Sequence, residues 1–225
     1  MKPILFSTPM VQAILAGRKT QTRRIIPQNV VDRFVTSEQG QLLGSFQEKY
    51  GDCYPTVDDC QYKPGDVLWV RETWTRMRDC SGKEAIFYAA NKSDYDTISA
   101  TTLCDDDGRD TNKPFPWRPS IFMPREAARL YLKVTSVRAE RVQDIQFLDA
   151  MDEGIEPDFT MPDDWVDDDA IAICGAMRVR RATIDAFRDL WNGINARRGY
   201  GWDSNPWVWA ITFEQTAEVD VCSPK

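Results

Sequence analysis

Segments rich in β-branched and aromatic residues recur along this chain without a regular alternation with helices. They lie at 66–74, 85–89, 130–137 and 207–213. A doubly wound parallel sheet needs that alternation, whereas a small barrel needs short strands joined by turns. Turn residues, Pro64-Gly65 and Asn205-Pro206, precede the first and the last segment. The sequence therefore predicts an α+β fold: a mixed β-barrel with flanking short helices.

Three helices are predicted beside these strands. At the N-terminus, Thr8 suits an N-cap, Pro9 suits the first helical position, and Gly17 suits a C-terminal cap. The apolar residues between them share one helical face: Met10, Val11, Ile14 and Leu15. Two further helices are expected over roughly 147–153 and 183–192.

The length of 225 residues favours one domain over 1–225. Stretches without sustained periodicity or with turn residues predict long loop insertions at about 37–62, 91–120 and 156–182. Loops of this length in a compact domain are usually functional covers or insertions.

The composition indicates a cytoplasmic protein. No apolar run approaches the roughly 20 residues that cross a bilayer, and the N-terminal apolar run ends at Phe6, too early for a signal peptide. We therefore expect no membrane partner and reduced cysteines, with a local Cys53–Cys60 bridge as the minor alternative. The sequence does not define an oligomeric state.

The chain has no histidine, and this limits its chemistry. Every Ser-His-Asp or Cys-His triad and every histidine base is excluded. Catalysis must use Lys, Asp, Glu, Tyr or Cys, or water on a metal held by carboxylates. The six cysteines form no C-x-x-C pair, and the acidic residues show no metal-ligand spacing, so neither a metal site nor a cofactor is expected.

Charge is distributed unevenly along the chain. The net charge of −7 opposes non-specific nucleic-acid binding. Residues 1–36 nevertheless carry six basic side chains and one acidic one, whereas 152–169 carry nine acids and no base. A local basic site on an acidic body suits a small anionic ligand or a short single strand. For the acidic run, solvated surface is the simpler interpretation.

Several landmarks resemble the ASCH family. The stretch 14–24 is similar to its Gly-x-Lys-x-x-x-x-Arg signature after a short helix, with Gly17, Lys19 and Arg24 at the fixed positions. The other landmarks follow in the family's order: Pro64-Gly65-Asp66, Asp144-Ile145, Glu153-Gly154-Ile155, and the closing segment 207–213. The likeness covers nearly the whole chain and extends to the longer ASCH proteins of bacteriophages and prophages.

The resemblance implies a PUA-like barrel with a cleft beside the signature. Family members include RNA-binding modules, ribonucleases and amidohydrolases that act on N4-acetylcytidine. Matched position by position, the catalytic residues of those amidohydrolases become Lys19, Thr22 and Glu153. The third residue depends on an alignment with insertions, and Glu156 and Glu72 are its rivals.

The chemistry of these side chains agrees with such a role. A threonine hydroxyl needs a base, and a lysine can be that base when burial or neighbouring cations lower its pKa. Arg18, Arg23 and Arg24 flank Lys19. A carboxylic acid could then protonate the leaving nitrogen. Because Lys19 and Thr22 are three residues apart, they share a face only if 19–22 form a turn.

Substrate-binding residues are expected around this site. Arg24 could grip a phosphate or base edge with its two-pronged guanidinium, and tryptophans could stack a base. The candidates are Gly17, Arg23, Arg24, Trp69, Arg71, Glu72 and Trp74. The alternatives are that the tryptophans are core residues and that Glu72 only pairs with Arg71.

Three functions remain open from the sequence. The first is a hydrolase that removes an acyl group from a modified cytosine nucleoside or nucleotide. The second is a ribonuclease, which could require a divalent metal, and the third is a non-catalytic reader of RNA or of a modified base. The presence of Lys19 and Thr22 at matching positions favours the hydrolase.

Overall fold

The computed structural model describes residues 1–32, 59–78, 84–100, 102–104, 110–114, 116–156 and 169–217. The described strands are β1 Lys2–Leu5, β2 Gln21–Ile25, β3 Val67–Arg71, β4 Trp74–Arg78, β5 Glu84–Tyr88, β6 Thr102–Cys104, β7 Asp110–Pro114, β8 Tyr131–Arg141 and β9 Trp207–Thr216. The α-helices are α1 Thr8–Leu15, α2 Gln28–Val31, α3 Lys92–Ala100, α4 Phe147–Asp152 and α5 Asp169–Asn195. Short 3-10 helices lie at Ser120–Phe122, Arg125–Ala127, Val142–Asp144, Ala196–Arg198 and Trp202–Ser204.

Five of these strands form one sheet in the order β1-β3-β8-β9-β2, and β4-β5 and β6-β7 form two-stranded sheets. Strand β1 runs parallel to β3, β3 runs antiparallel to β8, and β2 runs antiparallel to β9. The fold is therefore α+β, as predicted. Over the described residues the main sheet is open, so a closed barrel, which the sequence suggested, is not observed there.

The chain divides into two compact units. The first unit contains the described residues of Met1–Ala16, Asp66–Lys133 and Gln215–Lys225, and the second contains those of Gly17–Gly65 and Val134–Glu214. Strand β8 begins in the first unit and continues in the second.

Each unit has an apolar cluster of its own. In the first unit, Trp74, Met123 and Ala127 are buried together. In the second unit, the buried residues are Val142, Ile145, Ala150, Phe187, Trp191 and Val208. There α4 packs on α5 and on β2. Because residues 207–211 of β9 are buried on both strand faces, β9 is an interior strand of this unit.

Helix α1 leads into residues 17–24, which we call the signature segment. Its N-cap is Ser7, one residue earlier than predicted, and Pro9 lies within the first turn. The helix buries Val11 and Ile14 of the predicted face together with Ala13, whereas Met10 is half-buried and Leu15 is exposed. Gly17 then adopts φ +73°, the left-handed conformation that commonly ends a helix.

Other predicted elements agree with the structure except in their boundaries. The expected helix at 147–153 is α4, and the strand segments at 130–137 and 207–213 are β8 and β9. The segment 66–74 contains two strands, β3 and the start of β4, because the chain leaves the sheet at Glu72-Thr73. The helix expected at 183–192 is only part of α5. No helix among the described residues is long and apolar enough to cross a membrane.

The predicted insertions contain regular structure where they are described. The stretch 91–120 holds α3 and the β6-β7 hairpin, so the expectation of a plain loop is wrong there. The helix lacks a strong apolar period, but Asp94 in its first turn complements the positive end of the helix dipole. The stretch 156–182 includes the first half of α5. Residues 37–58 and 157–168 lie outside the described residues.

Candidate functional site

The signature segment and the end of α4 are joined by backbone contacts within the second unit. Lys19 forms an isolated antiparallel bridge with Glu153. The N–H of Thr20 donates to the carbonyl of Asp152 at 2.8 Å, and the N–H of Phe213 donates to the carbonyl of Thr20 at 2.8 Å. Main-chain bonds alone therefore place Lys19 beside Glu153, without any contribution from side chains.

Glu153 occupies the C-cap of α4, and the residue that follows it allows the chain to turn away. Gly154 has φ +91°, a left-handed conformation that costs a side-chain-bearing residue about 1–2 kcal/mol. The N–H of Ile155 returns to the carbonyl of Ala150, closing the helix end. The Glu-Gly pair of the sequence thus directs the Glu153 carboxylate toward the signature segment.

The Lys19 ammonium is fully enclosed and satisfied. Its side chain has 0% exposure, and its Nζ lies 2.6 Å from Oε2 of Glu153. The same nitrogen donates to the main-chain oxygens of Gln21 at 2.8 Å and of Glu153 at 2.9 Å. An ammonium has three N–H donors, and these three acceptors match them.

Burial lowers the pKa of Lys19 below its ordinary value of 10.5. The Glu153 carboxylate opposes this shift, whereas the positive charges of Arg24 and Arg23 add to it. The arginines do act in the predicted direction, but removal from water is the larger cause. Lys19 is therefore a lysine that gives up its proton more readily than an exposed one.

Glu153 is held by a second cation on its other oxygen. Arg23 Nη1 lies 3.2 Å from Oε1 of Glu153, and the Arg23 side chain is itself buried. Arg23 Nη2 lies 2.6 Å from Oε1 of Glu140, and Arg23 Nε donates to the same oxygen at 2.9 Å. The Arg23 guanidinium also lies over the Phe187 ring, 5.6 Å from its centroid. These contacts orient the carboxylate from both sides.

Further charged residues extend this arrangement into a network. Arg138 donates to Glu140 at 2.7 Å and to Asp149 at 2.6 Å. Burial alone would raise the pKa of the Asp149 carboxyl, but hydrogen bonds from Arg138 and from the backbone of Gln146 hold it below its usual value. We call the set the charge cluster; its members are Lys19, Arg23, Arg138, Glu140, Asp149 and Glu153. It contains three cations and three carboxylates, and Arg24 is near enough to act electrostatically on Lys19 and Glu153.

Three of these members were missed in the sequence. Arg138 and Glu140 are two residues apart on β8 and so project from the same strand face. Asp149 accepts the N–H of Gln146 in a capping box at the start of α4. The capping pattern was readable from sequence. The position of Asp149 next to Arg23, however, depends on which strands pair.

Thr22 lies within β2, opposite Ile211, and is buried. The turn over 19–22 that a Lys19–Thr22 pair requires is not formed, since β2 begins at Gln21. In extended backbone, alternate residues share a face, and Lys19, Gln21 and Arg23 all bond to the carboxylates of the charge cluster. Thr22 therefore lies on the opposite face of the strand from Lys19, Gln21 and Arg23.

The remaining signature residues surround the charge cluster less tightly. Gly17 and Arg18 are exposed, and Arg18 pairs with the exposed Glu156 at 3.0 Å. Burial lowers the pKa of Arg24, with Glu153 and Tyr62 opposing the shift. Of the three carboxylates considered for the site, Glu153 is the one that meets Lys19.

The other expected binding residues belong to the first unit. Glu72 is buried and takes a two-pronged pair from Arg129, with both bonds at 2.9 Å. It is thus a paired glutamate, with a different arginine from the Arg71 considered in sequence. Trp74 lies in the apolar cluster of this unit. Trp69 and Arg71 are half-buried, with the guanidinium 5.5 Å from the Trp69 ring centroid.

No group of metal-ligating side chains that could hold an ion is found in the described part of the chain. Cys60 is a buried thiol, and Cys53 lies outside the described residues. Comparison of this chain with family models, with curated proteins and with solved structures found no match.

Proposed function

We propose that this chain is an ASCH-type hydrolase with a PUA-like fold, which removes the acyl group from N4 of a modified cytosine nucleoside or nucleotide. The observation that carries the proposal is the buried contact between Lys19 and Glu153. The amide chemistry needs one group that accepts a proton from the nucleophile and another that donates a proton to the leaving nitrogen.

The Lys19–Glu153 pair can supply both groups through a single proton shift. Moving one proton along the 2.6 Å contact converts ammonium and carboxylate into amine and carboxylic acid. Burial disfavours charged forms and so assists this shift, in keeping with the lowered pKa of Lys19. Without any histidine, this chain would thereby hold a neutral base and a neutral acid side by side.

The proposed reaction then balances as follows. The Lys19 amine removes the proton of a hydroxyl nucleophile, whose oxygen bonds to the acyl carbon. The bond from that carbon to N4 breaks, and the carboxylic acid of Glu153 protonates the departing nitrogen. Cytosine leaves with a free amino group, the acyl group remains on the nucleophile oxygen, and the ion pair between Lys19 and Glu153 is restored. If the nucleophile is Thr22, water must later hydrolyse the resulting ester.

The resemblance to amidohydrolases assigns the nucleophile to Thr22. Its position in β2, opposite in alternation to Lys19, gives that assignment no geometric support. The proton-transfer pair is therefore the part of the proposal that rests on contacts, and Thr22 rests on the resemblance.

The charge balance favours a nucleoside-sized substrate over a long RNA. The sequence suggested a basic patch, but Lys19 and Arg23 are buried against carboxylates, and Arg18 and Lys2 are also paired. A ribonuclease gains affinity by neutralising phosphates with basic side chains, and these four are already compensated.

The test is hydrolysis of N4-acetylcytidine by the wild type and by Lys19→Arg and Lys19→Met, followed by chromatography of the released cytidine. Arginine keeps the positive charge but does not release its proton, so it cannot act as the base. We therefore expect kcat to fall by about 100-fold or more. Lys2→Arg, the same change at a partly exposed lysine, is the control. Circular dichroism verifies folding.

Two results would reject the hydrolase. One is full activity in both Lys19 variants. The other is wild-type protein that binds N4-acetylcytidine without converting it, which would indicate a reader of the modified base instead.

A further inference from the structure

A cavity of about 310 Å³ lies in the second unit, toward the end of β2 that is remote from Lys19. Its lining includes Gln28, Arg141, Tyr200, Ser204 and Trp207. The N–H of Ile26 bonds to the carbonyl of Trp207 near the cavity, whereas the N–H of Phe213 bonds to Thr20 near Lys19. With about 3.3 Å per strand residue, the two places are roughly 20 Å apart.

Arg141 is the charged group of this cavity. Its guanidinium lies over the Trp207 ring at 4.4 Å from the centroid, and Nη1 donates to the carbonyl of Asn205 at 3.0 Å. These two contacts hold the guanidinium plane without using a carboxylate. Among the described residues, no Asp or Glu lines the cavity, and none forms an ion pair with the Arg141 side chain.

The charged residues near the cavity also favour a negatively charged ligand. Arg197 and Arg198 are exposed and directly precede Gly199, another lining residue. Asp144 is the acidic residue bonded to Arg141, but it accepts the Arg141 backbone N–H and not the guanidinium. Both arginines of the charge cluster contact carboxylates, whereas the Arg141 guanidinium at this cavity contacts the Trp207 ring and the carbonyl of Asn205.

The remaining lining groups suit a planar ring. Tyr200 is half-buried, and aromatic side chains of this kind stack on nucleobases. Gln28 and Ser204 offer neutral hydrogen-bonding groups for a base edge or a sugar. The volume lies at the lower end of the range for small-ligand pockets, about 300–1,000 Å³.

We propose that this cavity is a second binding site, separate from the Lys19 site, that takes one nucleotide with its phosphate on Arg141 and its base against Tyr200. A phosphate matches the planar fork of arginine better than it matches any neutral group. The nucleotide can be free or can be the 5′-phosphorylated end of an RNA strand, since both present the same chemistry.

Isothermal titration calorimetry with CMP and with cytidine tests this site in the full chain. CMP binds more tightly than cytidine, and the affinity for CMP falls about 10-fold or more in Arg141→Gln. Arg181→Gln, which removes an exposed arginine from α5, leaves it unchanged. A 5′-phosphorylated tetranucleotide that binds at least 10-fold tighter than CMP assigns the site to strand ends. Equal affinities assign it to free nucleotides.

A second pair of variants tests the site even if Arg141→Gln does not fold. Gln28 is exposed, and both Gln28→Ala and Gln28→Glu remove its bond to Asp32. Only Gln28→Glu adds a negative charge at the cavity, so it weakens CMP binding several-fold relative to Gln28→Ala. The Lys19→Arg variant binds CMP at this site normally, which separates the result from the fate of the proposed hydrolase. Equal CMP affinity in the two Gln28 variants, or no CMP binding at millimolar concentration, overturns the second site.

Discussion

At the scale of single residues, Glu153 is the carboxylate of the charge cluster that contacts both of its fully buried cations, Lys19 and Arg23. It accepts from Lys19 on one oxygen and from Arg23 on the other, and its exposure is 5%. A buried ion pair adds little net stability compared with apolar packing, but loss of one partner leaves the other charge uncompensated. The pair therefore constrains the site more than it stabilises the fold.

Replacement of Glu153 by Gln tests this dependence. We expect the free energy of unfolding to fall by about 3–5 kcal/mol, because Lys19 would lose the carboxylate that it contacts, whereas Arg23 would keep its pair with Glu140. The pKa of Lys19 should fall further, since the Glu153 carboxylate is what raises it. Urea unfolding monitored by tryptophan fluorescence gives the stability.

The matched control is Glu156→Gln, a glutamate three positions on whose side chain is 71% exposed. Its effect should stay within about 0.5 kcal/mol. Equal stability of both variants would mean that the buried pair does not matter to folding.

At the scale of elements, the end of α4 determines where Glu153 points. The helix begins with a capping box at Gln146 and Asp149 and ends with Gly154 in the left-handed region. The same short helix thus supplies Asp149 from its first turn and Glu153 from its C-cap to one charge cluster. Its six residues are too few for a helix that is stable alone, so packing on β2 and α5 must maintain it.

The change Gly154→Ala should destabilise the protein by about 1–2 kcal/mol, because a methyl group is strained at φ +91°. It should also reduce hydrolysis of N4-acetylcytidine, since relief of the strain would rotate Glu153 away from Lys19. Thermal unfolding and single-turnover rates measure the two effects.

Gly193→Ala is the control within the same unit. Gly193 lies in α5, and nothing lies within 4 Å of an added Cβ. Alanine there should stabilise the helix by about 0.5–1 kcal/mol. A Gly154→Ala variant as stable and as active as the wild type would contradict the role given to the α4 terminus.

At the scale of the whole molecule, each compact unit holds a buried glutamate that is paired with a cation. The first unit has Glu72 with Arg129, whose guanidinium also donates to Asn91 and lies 4.0 Å from the Tyr88 ring centroid. The second unit has the charge cluster. Every contact described for Lys19, Arg23 and Glu153 comes from within the second unit.

Arg129→Gln separates stability from chemistry. It leaves Glu72 buried without its cation, so unfolding should become easier by about 3–5 kcal/mol. At a temperature where the variant is folded, its kcat on N4-acetylcytidine should equal that of the wild type. Arg125→Gln, at an exposed arginine of the same unit, should change neither quantity. A drop in kcat for folded Arg129→Gln would show that the first unit contributes to the reaction.

Local patterns in the sequence were sufficient to predict α1, α4, β8 and β9, because each is marked by nearby residues. Pro9 and Gly17 bound the first helix, and alternation or continuous apolar runs mark the two strands. Short elements such as β1 and β2 were not predicted. Lys2–Leu5 is too short to show a period, and Gln21–Ile25 is both short and largely polar.

The chain by itself determined that any catalysis must do without histidine. The resemblance of segment 14–24 indicated Lys19 and left Glu153, Glu156 and Glu72 as candidate carboxylates. Only the tertiary structure decided that Lys19 and Glu153 meet, 134 residues apart in sequence, and that Glu140, Asp149 and Arg138 join them. Burial is the physical reason. It lowers the pKa of Lys19, and it makes a buried charge without a partner energetically costly. Burial depends on which strands and helices pack together, and no local pattern in the sequence specifies that.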